Sequence, residues 1–238
     1  MRIDGRKENE LRPVRMTVGF SKFAEGSCLI EMGNTVVLCN ASVENKVPLH
    51  VQSGGWVTAE YSMLPRANRS RSPRDISKLK LAGRSAEIQR LIGRSLRSAV
   101  DLEKLGEHTI TVDCDVLQGD GGTRTASVTG GFVAMVLAMK KLLADGEISE
   151  LPVKTFVSAI SAGVVDDIPL LDLCYEEDSR AEVDLNCVMT EEGELIELQG
   201  TGEGRPYTAK ELQSLLALCR LGNEALCREQ KKVIGDLK

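Results

Sequence analysis

Two short stretches of this chain hold residue types whose spacing can do chemistry. The first is Gln118-Gly119-Asp120-Gly121-Gly122-Thr123-Arg124, followed by Thr125-Ala126-Ser127. Glycines let a backbone approach an anion closely, free N–H groups at a helix start donate to it, and Arg124 adds a planar charged fork. The combination suits a phosphate, with a plain Gly-rich turn as the competing description. It is not a Walker loop, because GxxxxGKS/T is absent. Gly200-Thr201-Gly202-Glu203-Gly204 also resembles a glycine fingerprint, but Glu203 would repel phosphate and no βαβ unit surrounds it.

The second stretch is acidic, with Glu176, Glu177, Asp178, Glu182 and Asp184 inside nine residues. Period two on a strand starting near Glu182 places Glu182, Asp184 and Asn186 on one face, and Asp178 can fold back beside Asp184. Two converging carboxylates suit Mg²⁺ or Mn²⁺, hard cations held by few protein oxygens plus water and substrate. A solvated acidic face is the alternative.

Charge is segregated along the chain. Residues 66–97 hold ten Lys/Arg (Arg66, Arg69, Arg71, Arg74, Lys78, Lys80, Arg84, Arg90, Arg94, Arg97) against Asp75 and Glu87, or +8, while the remaining residues carry 20 basic and 33 acidic groups, or −13. One basic tract on an anionic body fits a polyanion bound at one place; a solvated helix face is the competing reading.

These residues need elements to position them. Val14, Met16 and Val18 alternate, the runs around residues 28–30 and 36–39 flank a Gly33-Asn34 turn, and residues 56–61 read as a fourth strand. Ile88, Leu91, Ile92, Leu96 and Val100 recur at helical spacing, with Arg90, Arg94 and Arg97 off the apolar stripe. Residues 107–116 alternate strictly, and an apolar helix is expected over 128–143. Strands at 153–164, 168–174, 182–189 and 194–199 and a helix opened by Thr208-x-x-Glu211 complete the second half. The predicted class is α+β, one domain over 1–238 with two pseudo-repeated halves of about 1–146 and 147–238.

At 238 residues, 42% hydrophobic and 27% charged, the chain has an ordinary globular composition; at 3% aromatic its core must be aliphatic. Seven cysteines without a CxxC pair, and only His50 and His108 beside them, exclude a zinc ribbon. His108 falls on an apolar strand face and His50 in a loop. No leader and no membrane span are expected, and most of the thiols read as buried hydrophobes of a reducing cytoplasm.

The sequence resembles the ribonuclease PH family, phosphate-dependent 3′ exoribonucleases related to polynucleotide phosphorylase and to the catalytic subunits of the exosome ring. The likeness rests on Arg2-x-Asp4-Gly5-Arg6, Leu11-Arg12-Pro13-Val14, the run from Gly54 through Tyr61, Met63-Leu64-Pro65-Arg66, Gly83-Arg84, Glu87 through Arg94, Asp113 through Gln118, Asp120 through Ser127, and Glu177-Asp178 to Val188-Met189-Thr190. It covers nearly the whole chain. Two departures stand out: residues 47–53 look shorter and less basic than is usual in the family, and Gly202 sits where Ala is more common.

The resemblance implies a ribosomal protein S5 domain 2-like fold and a homohexamer built as a trimer of dimers. It places inorganic phosphate, the co-substrate, on Arg84, Gly122, Thr123 and Arg124, and a divalent metal, Mg²⁺ or Mn²⁺, on Asp178 and Asp184. Arg124, Asp178 and Asp184 would be the catalytic residues. RNA would meet Arg66, Arg69, Arg71 and Arg74, with Arg90 and Arg97 of the basic helix beside them. The implied activity is trimming of tRNA precursor 3′ ends, and of rRNA, by phosphorolysis that runs backwards as nucleotidyl transfer. An inactive RNA-binding ring component and a hydrolytic metal nuclease are the two other readings.

Overall fold

In the computed structural model, residues 2–74 and 82–237 are described; Lys78 and Lys80 of the basic tract lie outside them. The first half opens with β1 (Val14–Val18), β2 (Gly26–Met32), β3 (Thr35–Glu44) and β4 (Trp56–Met63). Helix α1 (Gly83–Ser98) and the single turn α2 (Leu102–Leu105) lead into β5 (Thr109–Gln118) and the long α3 (Thr123–Ala144). The second half holds β6 (Val157–Val165), β7 (Ile168–Leu171), the turn α4 (Tyr175–Asp178), β8 (Val183–Thr190), β9 (Leu195–Thr201) and α5 (Ala209–Ile234).

Five strands form one sheet in the order β1-β2-β3-β5-β4, and four form a second in the order β7-β6-β8-β9. All pairings are antiparallel except β4 with β5, whose connection crosses over through α1. Alternation in β5 does what its sequence requires, burying Ile110, Val112, Cys114 and Val116 while Thr111, Asp113 and Asp115 face outward. The α+β class, with mixed sheets and helices, stands as expected.

Helix α3 lies between the two sheets, against β2, β3 and β5 on one side and β6 on the other. It is long and apolar enough to cross a membrane, with a mean hydropathy of 1.4, but 78% of that window is buried inside the fold. A helix packed on both sides must be apolar all round. One continuous aliphatic core runs from Cys28 to Ile234 and includes every cysteine but Cys174; all seven are free thiols and buried. His108 is buried, its Nδ1 2.9 Å from the Leu105 carbonyl, and His50 stands edge-on to Trp56 at 5.0 Å.

Three of the boundary differences from the sequence pattern have a local physical cause. Helix α3 starts at Thr123 rather than 128, because Gly122 caps it and its polar first turn carries no apolar signal. Strand β6 starts at Val157, with Val153 making only an isolated bridge to Val100. The strand expected over 168–174 ends at Leu171, because Asp172 takes a left-handed φ of 54° and turns the chain into α4.

Candidate active site

The glycine junction and the acidic stretch meet in a cleft of about 630 Å³ where the two halves adjoin. Arg84, Gly122, Thr123 and Arg124 line one side of it, and Asp178 and Asp184 the other. All the residues expected to bind phosphate or metal are thereby brought together from four elements, α1, α3, α4 and β8.

Local chain geometry explains the first wall. Gly121 and Gly122 both have positive φ, 76° and 65°, which L side chains rarely adopt. A Cβ on Gly121 would sit 2.5 Å from the Leu173 carbonyl oxygen, so this loop passes hard against the start of α4. The first α3 N–H to find a carbonyl behind it is that of Ala126, which donates to Gly122 at 3.0 Å. The N–H groups of residues 123–125 thus open toward the cleft end of the helix, where the dipole favours an anion. Thr123 is fixed by Tyr61, whose buried hydroxyl lies 2.9 Å from its Oγ1; burial pushes that phenol up, against the Thr123 contact and Arg84 and Arg124, so it stays neutral. Arg124 donates from Nη1 to Gln199 Oε1 on β9 at 2.9 Å.

The second wall is anionic. Glu182 does not join Asp184 there, because Arg205 holds it at 2.6 Å. Glu176 is taken by Arg69 at 2.6 Å and Glu177 by Arg2 at 2.7 Å. Asp178 and Asp184 have no cation within ion-pair distance among the described residues, and Glu203 joins them at the cleft edge. Burial, then the Asp178 charge, push the Asp184 carboxyl up to about 6; Arg124 and the Asn186 amide, which donates to Oδ2 at 3.0 Å, pull the other way. Asp178 keeps surface open to solvent, yet partial burial holds it above the usual carboxylate range against Arg84, Arg124 and Arg12.

Two like charges crowded without a counter-ion form a donor set fit for a hard divalent cation. No cluster of three His, Cys, Asp or Glu ligands occurs among the described residues, so an ion here would complete its shell with water and substrate oxygens.

A buried ionic strap positions both walls, and sequence reasoning assigned it no role. Arg12 donates from its backbone N–H, Nε and Nη2 to Asp172 at 2.8, 3.0 and 2.6 Å, and from Nη1 to the Asp120 carbonyl at 2.5 Å. Burial alone would lower the Arg12 guanidinium; Asp172 more than offsets it. Arg2 holds Glu177 through both carboxylate oxygens at 2.8 and 2.7 Å and reaches the Asp172 carbonyl at 3.0 Å. The N-terminal segment therefore ties α4, which bears Asp178, to the loop that carries Gly121 and Gly122. Arg2 and Arg12 belong to the motifs that carry the family likeness, which was the available signal.

The expected RNA-contacting arginines divide. Arg66, Arg69, Arg71, Arg74 and Arg90 are exposed. Arg97 is turned away: it is half-buried, donates to the Val57 carbonyl at 2.6 Å and lies over the Trp56 ring at 4.3 Å. It packs α1 on β4, a geometry that the helical stripe could not reveal. Tyr61 and Gln199 were not singled out by chemistry either, since each acquires its place through a strand pairing distant in sequence.

A model of the 3′ exoribonuclease family, domain 1, matches residues 10–141, and one of domain 2 of the same family matches residues 155–219. Among solved structures, rice (Oryza sativa) Rrp46 is similar with a TM-score of 0.80 at 19% identity, over 98% of this chain and 100% of that one. An Archaeoglobus fulgidus exosome with RNA bound to the active site gives 0.81 at 24%, over 96% and 92%. An archaeal exosome core gives 0.74 at 24%, over 97% and 90%. At these identities the likeness is one of fold.

Proposed function

Because the chain belongs to the 3′ exoribonuclease family, we propose that it shortens RNA from the 3′ end by phosphorolysis, releasing nucleoside diphosphates. The observation that carries this reading is the pairing, across one cleft, of a helix N-terminus flanked by Arg84 and Arg124 with two carboxylates that lack a cation. Hydrolysis would need no anion cradle.

Inorganic phosphate is held by Arg84, the Arg124 fork and the open N–H groups after Gly122. One of its oxygens attacks the phosphorus of the last phosphodiester. The bond from that phosphorus to the 3′ oxygen of the preceding nucleotide breaks, and the proton lost by the attacking phosphate ends on that oxygen. The products are a nucleoside diphosphate and an RNA one residue shorter. Asp178 and Asp184 would hold Mg²⁺ or Mn²⁺, which supplies positive charge to offset that of the transferring group. A phosphoanhydride replaces a phosphodiester, so the step also runs backwards as nucleotidyl transfer.

The finer assignment is to tRNA precursors, with rRNA ends as further substrates, acted on by a homohexamer of three dimers in the cytoplasm. The exposed Arg66, Arg69, Arg71 and Arg74 supply the polyanion grip this needs, and buried thiols suit a reducing compartment. The test is to incubate a 3′-extended tRNA with Mg²⁺, with and without phosphate, and identify the released nucleotide. Diphosphates released only with phosphate are expected. Monophosphates at equal rate without phosphate mean a hydrolase, and no release in either buffer means an RNA-binding ring component.

A further inference from the structure

Tyr175 is the sole aromatic residue lining the cleft among the described residues. It opens α4, three positions before Asp178, and positions three apart share a helical face. In a chain with 3% aromatics, whose Tyr61 is 2% exposed, Tyr175 remains 48% exposed. It also borders an adjoining recess of about 260 Å³ whose walls include the polar Asn68, Ser70, Ser72 and Asp120.

The residue is held in place by its backbone. Its backbone N–H donates to Asp120 Oδ1 at 3.3 Å, and the α4 turn is capped by Glu177, which is locked by Arg2. Arg69 stands over the ring at 5.5 Å and pairs there with Glu176 at 2.6 Å on the open surface. An exposed aromatic and a guanidinium, side by side at a polar recess, present two planes on which a base can stack.

Resting on the RNA reading above, we propose that Tyr175, with Arg69, is a stacking platform for a nucleobase of the RNA 3′ end, with the recess taking the base edge. Stacking is indifferent to base identity, because every base has a π-face. The platform therefore fixes the position of the terminal nucleotides relative to Asp178 without selecting sequence.

The test places 2-aminopurine at each of the last two positions of a short single-stranded RNA. Fluorescence and anisotropy are read in phosphate-free buffer, where phosphorolysis has no nucleophile. Wild type and Tyr175→Phe are expected to quench the probe at one position on binding. Tyr175→Leu is expected to lose the quenching and about 5- to 150-fold in affinity, with an unchanged melting curve because the ring is half exposed. Unquenched probe in wild type at both positions, or equal quenching in wild type and Tyr175→Leu, overturns the platform. So does a change in oligomer mass on Tyr175→Leu with quenching retained, which marks a subunit contact. Diphosphate release on adding phosphate is followed in parallel: its failure overturns phosphorolysis and leaves the stacking result standing.

Discussion

Asp184→Asn is expected to stabilise the metal-free protein while abolishing turnover. Burial and the neighbouring Asp178 raise the Asp184 carboxyl from 3.8 to about 6. An acid whose folded pKa exceeds its unfolded one takes up a proton on folding, so its ionisation opposes the fold. The opposition is absent below pH 3.8, grows as pH rises toward 6, and is complete above it. Two pKa units at 1.36 kcal/mol each give about 3 kcal/mol, which solvent at the cleft mouth screens to about 1–2 kcal/mol. The asparagine carbonyl still accepts from Asn186, so the substitution removes charge with little loss of packing. At 2–4 °C per kcal/mol for a chain of this size, the variant should melt about 2–8 °C higher than wild type at pH 8 in the presence of a chelator. The gap should close toward pH 4. Scanning calorimetry across that range checks it, and adding Mg²⁺ should raise the melting point of wild type more than that of the variant. Equal melting points at pH 8, or a gap that stays constant down to pH 4, refute the electrostatic reasoning.

Arg124→Ala should lose on the order of 2 kcal/mol of transition-state stabilisation, read as a fall of about 30-fold in kcat/KM at subsaturating phosphate, with the fold intact; unchanged kinetics would remove it from the phosphate site. Asp172→Ala leaves Arg12 buried and unpaired, and should destabilise the fold by about 3–5 kcal/mol in urea titrations; a loss below about 1 kcal/mol would show that the strap is not structural. Replacing Arg66, Arg69, Arg71 and Arg74 together with Ala should weaken precursor tRNA binding far more than turnover on short strands, and flatten the salt dependence of binding. Sizing must accompany that titration, and a hexamer with wild-type affinity and slope would place the RNA site elsewhere.

Most of the fold was legible because its signals are local. The strict alternation of residues 107–116 gave β5, the Gly33-Asn34 turn gave the β2–β3 hairpin, and Thr208 with Glu211 gave the start of α5. Turn α4 was not legible, because it follows from a left-handed aspartate, Asp172, held by Arg12 some 160 positions away. The candidate site shows the same division. Gly122, Arg124, Asp178 and Asp184 advertise themselves by residue type, while the buried Arg2 and Arg12 look like any charged residues until tertiary pairing takes them out of water. Arg97 shows the reverse error: a basic residue off the apolar stripe of α1 is free only if no neighbouring strand offers it a carbonyl, and β4 does.

A cleft holding two arginines and two carboxylates would be expected to neutralise itself, and the described ion pairs show that it does not. The partners that orient the charges are neutral amides. Gln199 accepts from Arg124 at 2.9 Å, and Asn186 donates to Asp184 at 3.0 Å. The carboxylate nearest to Arg124, on Glu87, is 4.0 Å away and 57% exposed, where an ion pair is worth little. Gln199 is in turn steadied by Glu197, which Arg94 holds at 2.8 Å, so the amide keeps its acceptor oxygen toward Arg124. Orientation without neutralisation leaves Arg124 able to bind an anion. Gln199→Glu supplies the charge that this arrangement avoids: it gives up the amide donations to Glu197 and Glu87 at 3.2 and 3.3 Å, whose like charge turns the new carboxylate toward Arg124, where it should pair and compete with phosphate. A charge-assisted pair of about 1–2 kcal/mol corresponds to a rise of about 5- to 30-fold in the KM for phosphate, with kcat at saturating phosphate less affected. The effect should shrink as salt screens the pair. A KM for phosphate equal to wild type in Gln199→Glu would show that the amide's neutrality has no bearing on anion binding.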